Sequence, residues 1–235
     1  MSLTDVQKSW KNSPAHHKMV NESFASSVNA DPSLKAHRDF VEQNVFGFGE
    51  RSFQWLHKLI VDDMPDNFAF MEIGVFKGQI LSLYKMLADV TGKSVTRYGV
   101  TPLSTAGGVW ESDYKRDIEF IHDTFMLDKD YQLLVGLSTD PAIIQEAQSL
   151  SVDVLYIDGG HDHATVVSDI VNYIPIIKPG GYLIIDDCAN DMSMPWGYFT
   201  GIQEVTDATG SIMNTHPDYE FLFNVVHNKV WRKIR

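Results

Sequence analysis

From Asn67 onward the chain alternates short apolar runs with amphipathic segments, and few folds accept that rhythm. The runs at 68–73, 95–100, 131–135, 152–158 and 181–186 are too short for helices and are bounded by glycine, proline or aspartate, so they read as buried strands. Helical spacing falls between them, at about 77–90, 113–127, 140–149 and 162–176. Strands joined by helices run parallel, because a parallel neighbour needs a crossover, and strands apolar on both faces need cover on both. The fold class expected is therefore α/β with a mostly parallel sheet. After a further helix near 197–209, the stretches 219–226 and 229–231 flank His227-Asn228, which reads as a tight hairpin turn, so the sheet is expected to end antiparallel.

Residues 1–65 have a different character. They are polar and helix-leaning, interrupted by Pro14, Pro32 and Phe46-Gly47-Phe48-Gly49, and then place Phe53, Leu56, Leu59 and Ile60 at helical spacing. This segment reads as a helical lead-in to a domain at 66–235, with 10–35 linker-like. At 235 residues and 44% hydrophobic content one sizeable core is expected. No uncharged apolar stretch is long enough to span a bilayer, and Met1–Asp5 lacks the layout of a secretory signal, so the expected location is cytoplasmic, with no membrane partner. Cys188 stands alone and reads as a small buried hydrophobe. A formal charge of −12 repels phosphate backbones and argues against nucleic acid as a partner.

In open parallel sheets ligands bind beyond the carboxyl ends of the strands, so residues just after each strand carry the functional information. The first strand runs into Glu72-Ile73-Gly74-Val75-Phe76-Lys77-Gly78. Its glycines allow a tight turn and close approach to a ligand, and the next helix offers free N–H groups to a carboxylate. The dinucleotide pattern Gly-x-Gly-x-x-Gly is absent, which disfavours a nicotinamide cofactor. The second strand ends at Thr101, where an acid would grip a ribose, and a threonine can bond the same hydroxyls as a neutral group. After the third come Gly136, Ser138, Thr139 and Asp140; the last two suit helix capping, and Ser138 could face an adenine edge. The fourth strand ends Asp158-Gly159-Gly160-His161-Asp162-His163, and the fifth ends Asp186-Asp187. Charges at the ends of apolar strands are costly unless paired or bound to an ion, so Asp158, Asp186 and Asp187 on neighbouring strands would suit a hard divalent cation such as Mg²⁺. His161, three residues beyond Asp158, is the expected general base; as a loop histidine bonded to backbone it would do nothing of the kind.

These parts, in this order, resemble class I S-adenosylmethionine-dependent methyltransferases, within them the bacterial small-molecule O-methyltransferases that include macrocin and mycinamicin O-methyltransferases and cephalosporin hydroxylase-like proteins. The resemblance rests on Met71–Gly78, on Tyr156-Ile157-Asp158-Gly159-Gly160-His161, and on Lys178-Pro179-Gly180-Gly181 leading to Asp186-Asp187, and it covers roughly 50–235. It implies a Rossmann-like, seven-stranded sheet with an antiparallel last strand and S-adenosylmethionine over the glycine loop. Glu72, Gly74 and Gly78 would approach the cofactor's amino-acid end, Thr101 its ribose, and Ser138 its adenine. Asp158, Asp186 and Asp187 would hold the metal, with Asp158 and His161 at the reacting centre. The acceptor would be a hydroxylated small molecule, a sugar or natural product. Two departures stand out: Thr101 where many relatives carry an acid, and Gln79-Ile80-Leu81 where they carry a hydroxyl. The alternatives on the same scaffold are a module that holds an adenosyl ligand without catalysis, and an oxidoreductase or hydroxylase-associated protein. Trp110, Trp196, Tyr198 and Phe199 are candidates to line an acceptor pocket, and the helical lead-in could mediate a homodimer.

Overall fold

The computed structural model describes residues 2–104 and 112–235; Trp110 therefore lies outside the described residues. Four helices open the chain: α1 (Leu3–Ser9), α2 (Pro14–Ala30), α3 (Pro32–Asn44) and α4 (Arg51–Asp63). The segment read as linker-like is helical. Ser13 and Asp31 cap α2 and α3 by accepting from His16 N–H and from Ser33 and Leu34 N–H, and Pro14 and Pro32 sit where a helix has no use for an N–H.

There follow β1 (Asn67–Ile73), α5 (Gln79–Thr91), β2 (Ser94–Thr101), α6 (Tyr114–Thr124), β3 (Tyr131–Val135), α7 (Pro141–Ala147), β4 (Val152–Ile157) and α8 (His163–Tyr173). The chain ends with β5 (Ile177–Ile185), α9 (Gln203–Met213), β6 (Tyr219–Val225) and β7 (Asn228–Lys233). The last helix starts six residues later than its sequence reading, because Pro195, Gly197 and Gly201 keep the approach irregular, both glycines having positive φ. The hairpin turn is Val226-His227, one residue earlier than expected, and Val226 takes a left-handed φ of 48°.

The seven strands lie in the order β3-β2-β1-β4-β5-β7-β6. Pairs among β1 to β5 are parallel, and β7 runs antiparallel to both β5 and β6. Chain order reverses between β1 and β4, and a crevice opens there at the carboxyl ends.

The alternation along β1 splits the interior in two. Phe68 and Phe70 face one core, which α1, α2, α4 and α5 share, while Ala69, Met71 and Ile73 face another beneath α7, α8 and α9. Leu3, Val6, Val20 and Phe24 belong to the first of these, so the lead-in helices build the same core as the sheet. Glu72 follows Phe70 on that face and is only 4% exposed, which aims a carboxyl towards α4.

Candidate functional site at the switch point

Hydrogen bonds of the parallel ladder continue past the strand ends and fix the site's frame. Gly74 N–H donates to the Val100 carbonyl at 3.0 Å, Asp158 N–H to Ile73 at 2.9 Å and Asp186 N–H to Ile157 at 3.0 Å. Gly74 has φ 96°, and a Cβ there would sit 2.0 Å from the Asp158 carbonyl oxygen, so only glycine lets β1 and β4 finish side by side. Gly78 is a different case: it caps α5 at φ 83° and packs on Ile118 of α6, and it lines neither cavity described next.

Two cavities flank the Gly74–Asp158 junction. The larger, about 400 Å³, lies against α4 and is walled by Phe46, Phe53, Phe76 and Phe199 among others; its polar groups include Glu50, Gln54, Glu72, Asp158, His161, Asp186, Asp187 and His227. The smaller, about 320 Å³, is lined by Val100, Tyr114, Gly136, Ser138, Thr139 and Gly160. Gly74, Phe76 and Asp158 belong to both. Among the described residues the larger cavity has five carboxylates in its wall and no lysine or arginine.

The acids gather at one end of it. Asp187 has φ 54°, and this left-handed step turns the chain so that Asp186 and Asp187 present carboxylates to one place, which an extended strand would not allow. Asp186 is held by three donors: Tyr156 O–H at 2.9 Å, Asn228 Nδ2 at 2.7 Å and the Asp187 N–H at 2.9 Å. Asp158 stands 3.5 Å from the same Tyr156 hydroxyl. Burial and then the Asp158 charge push the Asp186 carboxyl up from the usual range; burial and then Asp186 and Asp158 do the same to Asp187. Burial, followed by the Asp158 charge, also raises Glu72 well above a normal glutamate, and its Oε2 is buried with no partner. Crowded acids of this kind call for a cation.

The structure brings Asp158, Asp186 and Asp187 to one rim, as their strand ends suggested, but the tightest set substitutes a residue the sequence reading took for a turn. One ligand atom each from Asp186, Asp187 and His227 lie within 4.8 Å of one another. His227 Nε2 is 3.3 Å from Asp186 and 3.6 Å from Asp187. Its distance from these acids in sequence, and its place on a chain reversal, left no local signal to find it by. Three carboxylates and an imidazole are a donor set that fits a divalent cation. His161 sits at the mouth, half-exposed, 3.9 Å from Asp158 and 3.6 Å from Asp187; its bond to Asp158 and the neighbouring carboxylates hold its proton more firmly than usual, against the pull of burial.

The cofactor positions divide. Gly74 and Ser138 line the smaller cavity, and Glu72 lines the larger. Thr101 is fully buried and lines neither, and its hydroxyl accepts from Leu103 N–H at 3.0 Å to hold the turn after β2. Asp162 caps α8 through Thr165 N–H, whereas Asp140 makes no cap and instead takes Leu137 N–H at 3.0 Å. Cys188 is buried, and Trp196 is fully exposed away from the cavity that Phe199 lines. Gln54 and Glu50, from α4 and its entry, were not expected in the site; Gln54 lies buried beside Phe53 of the apolar spacing, and a single polar residue there carries no mark of a cavity.

Sheet order, antiparallel β7 and a crevice at the β1–β4 switch define a Rossmann-like α/β fold. A family profile described as a methyltransferase domain matches residues 71–188, half the chain, and the chain belongs to that family. A protein of Acanthamoeba polyphaga mimivirus described as uncharacterized is 31% identical over 156 residues, 63% of this chain, and the match spans 64% of that relative's length. Among solved structures, a Staphylococcus aureus protein designated a caffeoyl-CoA O-methyltransferase superposes with TM-score 0.64 at 14% identity, covering 88% of this chain and 94% of its own. A TDP-rhamnose 3'-O-methyltransferase of calicheamicin biosynthesis gives 0.56 at 12% identity, covering 97% and 98%. A Podospora anserina methyltransferase with S-adenosylhomocysteine bound gives 0.57 at 11%, covering 99% and 93%. At these identities the structures share the fold. Among the described residues no helix is long and apolar enough to cross a membrane.

Proposed function

We propose that this chain is an S-adenosylmethionine-dependent O-methyltransferase that uses a divalent cation and acts on a hydroxyl of a small molecule such as a sugar or natural product. The observation that carries the reading is the pair of cavities meeting at Gly74 and Asp158, one mostly apolar, the other rich in acid and, among the described residues, without lysine or arginine. A donor with a sulfonium and an ammonium group, together with a metal ion, would supply positive charge to a wall in which acids outnumber the two histidines.

The smaller cavity suits an adenosine, with Tyr114 and Val100 against its faces and Ser138 at an edge. Glu72 Oε2 and Gln54 Oε1, both buried and unpartnered, offer acceptors to an ammonium group in the larger one. Asp158, Asp186, Asp187 and His227 would hold the cation. When bound, the two groups supply an electrophilic methyl and a positive charge that lowers the pKa of an acceptor hydroxyl. His161, at the mouth and flanked by Asp158 and Asp187, is placed to take that hydroxyl's proton and pass it to solvent. The rings of Phe46, Phe53, Phe76 and Phe199 exclude water and orient the acceptor.

Thermal denaturation tests the reading. S-adenosylmethionine at 100 times its Kd stabilises by about 2.7 kcal/mol, and at roughly 2–4 °C per kcal/mol for a domain of this size the midpoint rises by about 5–10 °C. A divalent salt is expected to add to this shift, and a chelator to remove the addition. No shift at millimolar S-adenosylmethionine would sink the proposal.

A further inference from the structure

We infer that His227 is a direct ligand of the cation and that it makes this a site for a first-row transition ion, Mn²⁺, Fe²⁺ or Co²⁺, in preference to Mg²⁺. The inference rests on the divalent-cation reading above and goes beyond it in naming a nitrogen ligand and the class of ion.

The imidazole is placed as a ligand is placed. It is 4% exposed, and Nε2 points at Asp186 Oδ1 and Asp187 Oδ1 at 3.3 and 3.6 Å, without a hydrogen bond of good geometry to either. Nδ1 is buried without a well-formed hydrogen bond. A buried ring edge that faces two carboxylates and bonds to neither lacks the group that would join them. The ring is fixed edge-on between Phe53, at 4.7 Å between centroids, and Phe199, at 5.0 Å. Its backbone is pinned as well: the Cys188 N–H donates to the His227 carbonyl at 3.1 Å, and the adjacent Asn228 donates to Asp186. The hairpin turn thus delivers a rigid nitrogen donor to the place where β5 delivers two oxygen donors.

Donor type decides the ion. Mg²⁺ takes oxygen ligands in a strict octahedron and parts reluctantly with its water, whereas an imidazole nitrogen is a better ligand for first-row transition ions, with affinity rising from Mn²⁺ through Fe²⁺ to Co²⁺. Asp186 already accepts from three protein donors, so a site built for oxygen alone would rest mainly on Asp187 and Asp158. The nitrogen of His227 completes it and sets the order of preference.

The test is metal binding to chelator-treated full-length protein, followed by titration calorimetry with MnCl2, CoCl2 and MgCl2 separately, without methyl donor or acceptor. Mn²⁺ and Co²⁺ are expected to bind at least about tenfold more tightly than Mg²⁺. His227→Ala is expected to weaken them by at least the roughly 10–100-fold that an outer-shell partner alone is worth, and to leave Mg²⁺ little changed. His227→Gln, which keeps a polar side chain of similar reach, gives the same result if His227→Ala does not fold. A third readout needs no change at 227: in the His161→Ala protein, pulsed electron paramagnetic resonance of bound Mn²⁺ is expected to retain coupling to an imidazole nitrogen. Equal affinities for Mn²⁺ and Mg²⁺, or loss of nitrogen coupling in His161→Ala, overturns the role of His227 and leaves the divalent-cation reading standing. Failure of all three ions to bind the unaltered protein overturns both.

Discussion

Replacing Glu72 by glutamine separates what the folded chain needs from what the proposed ligand needs. The carboxyl lies at the end of β1, 4% exposed, with Oε2 unpartnered and the Asp158 charge nearby. Burial raises its folded pKa well above the ordinary glutamate value of 4.5, so the native state binds a proton that the unfolded chain has released. Stability from this group is therefore full below pH 4.5 and falls as pH rises towards the raised folded value, by up to about 1.4 kcal/mol per pH unit. The Glu72→Gln protein has no such proton to gain, so it is expected to unfold at a urea concentration that depends less on pH, and to match or exceed the parent at pH 7. On the proposed function the ligand's ammonium group displaces that proton and takes a charge-assisted bond, worth about 1.5–3 kcal/mol less the cost of releasing the proton, so Glu72→Gln is expected to weaken S-adenosylmethionine by up to roughly 150-fold in Kd. Urea denaturation at pH 5 and pH 7, with calorimetric titration at pH 7, reads both effects. An unchanged pH slope would refute the burial argument, and a Kd within twofold of the parent would refute the assignment of Glu72 to the ligand.

Gly74→Ala is expected to lower stability by more than about 2 kcal/mol, since it combines a left-handed backbone with a collision against the Asp158 carbonyl, while Gly92→Ala, at φ 71° with nothing within 4 Å, is expected to lose only about 1 kcal/mol. Equal urea midpoints for the two would show that the junction yields. Asp169 has both carboxylate oxygens buried without a well-formed hydrogen bond, and burial, partly offset by Ser138, raises its pKa from 3.8 to about 7. Its folded form keeps a proton that the unfolded chain loses, so the parent weakens as pH rises from 3.8 to about 7. Asp169→Asn is expected to gain on it over that window by up to about 4 kcal/mol, read as the difference in unfolding free energy at pH 4 and pH 7.5; a constant difference would count against it.

The parts of the site legible in the sequence are those where one local pattern carries both structure and chemistry. Asp158, Asp186 and Asp187 each end an apolar run, and such a run is a strand while an acid at its end requires a partner, so the convergence follows once β4 and β5 are neighbours. Gly74 was legible because a strand that must turn at once into a helix needs its freedom. His227 and Gln54 were not, because each reaches the cavity from an element whose local pattern speaks of something else: a hairpin turn in one case, an amphipathic helix in the other. Thr101 stands at a strand end as read, and there its hydroxyl accepts from Leu103 N–H in the turn after β2, a use that the sequence did not signal. The helices over 10–35 did leave a signal in Ser13-Pro14 and Asp31-Pro32, a capping residue followed by proline, which the polar composition between them obscured.

The wall that the two cavities share consists of Gly74, Phe76 and Asp158 and nothing larger than one ring. Gly74 and Asp158 are anchored by ladder hydrogen bonds to β2 and β1, so this shared wall is fixed to the sheet. If the proposed methyl transfer runs across that wall, the depth to which an acceptor enters the larger chamber becomes a ruler, and the hydroxyl level with Gly74 and Asp158 would react in preference to neighbours one or two carbons away. The floor of that chamber belongs to the sheet, but much of its ceiling comes from Phe46–Glu50 and α4, outside the region that matches the methyltransferase family. On the proposed function, changes in the first sixty residues would therefore reset which position of an acceptor is modified while the acids at the strand ends stay as they are.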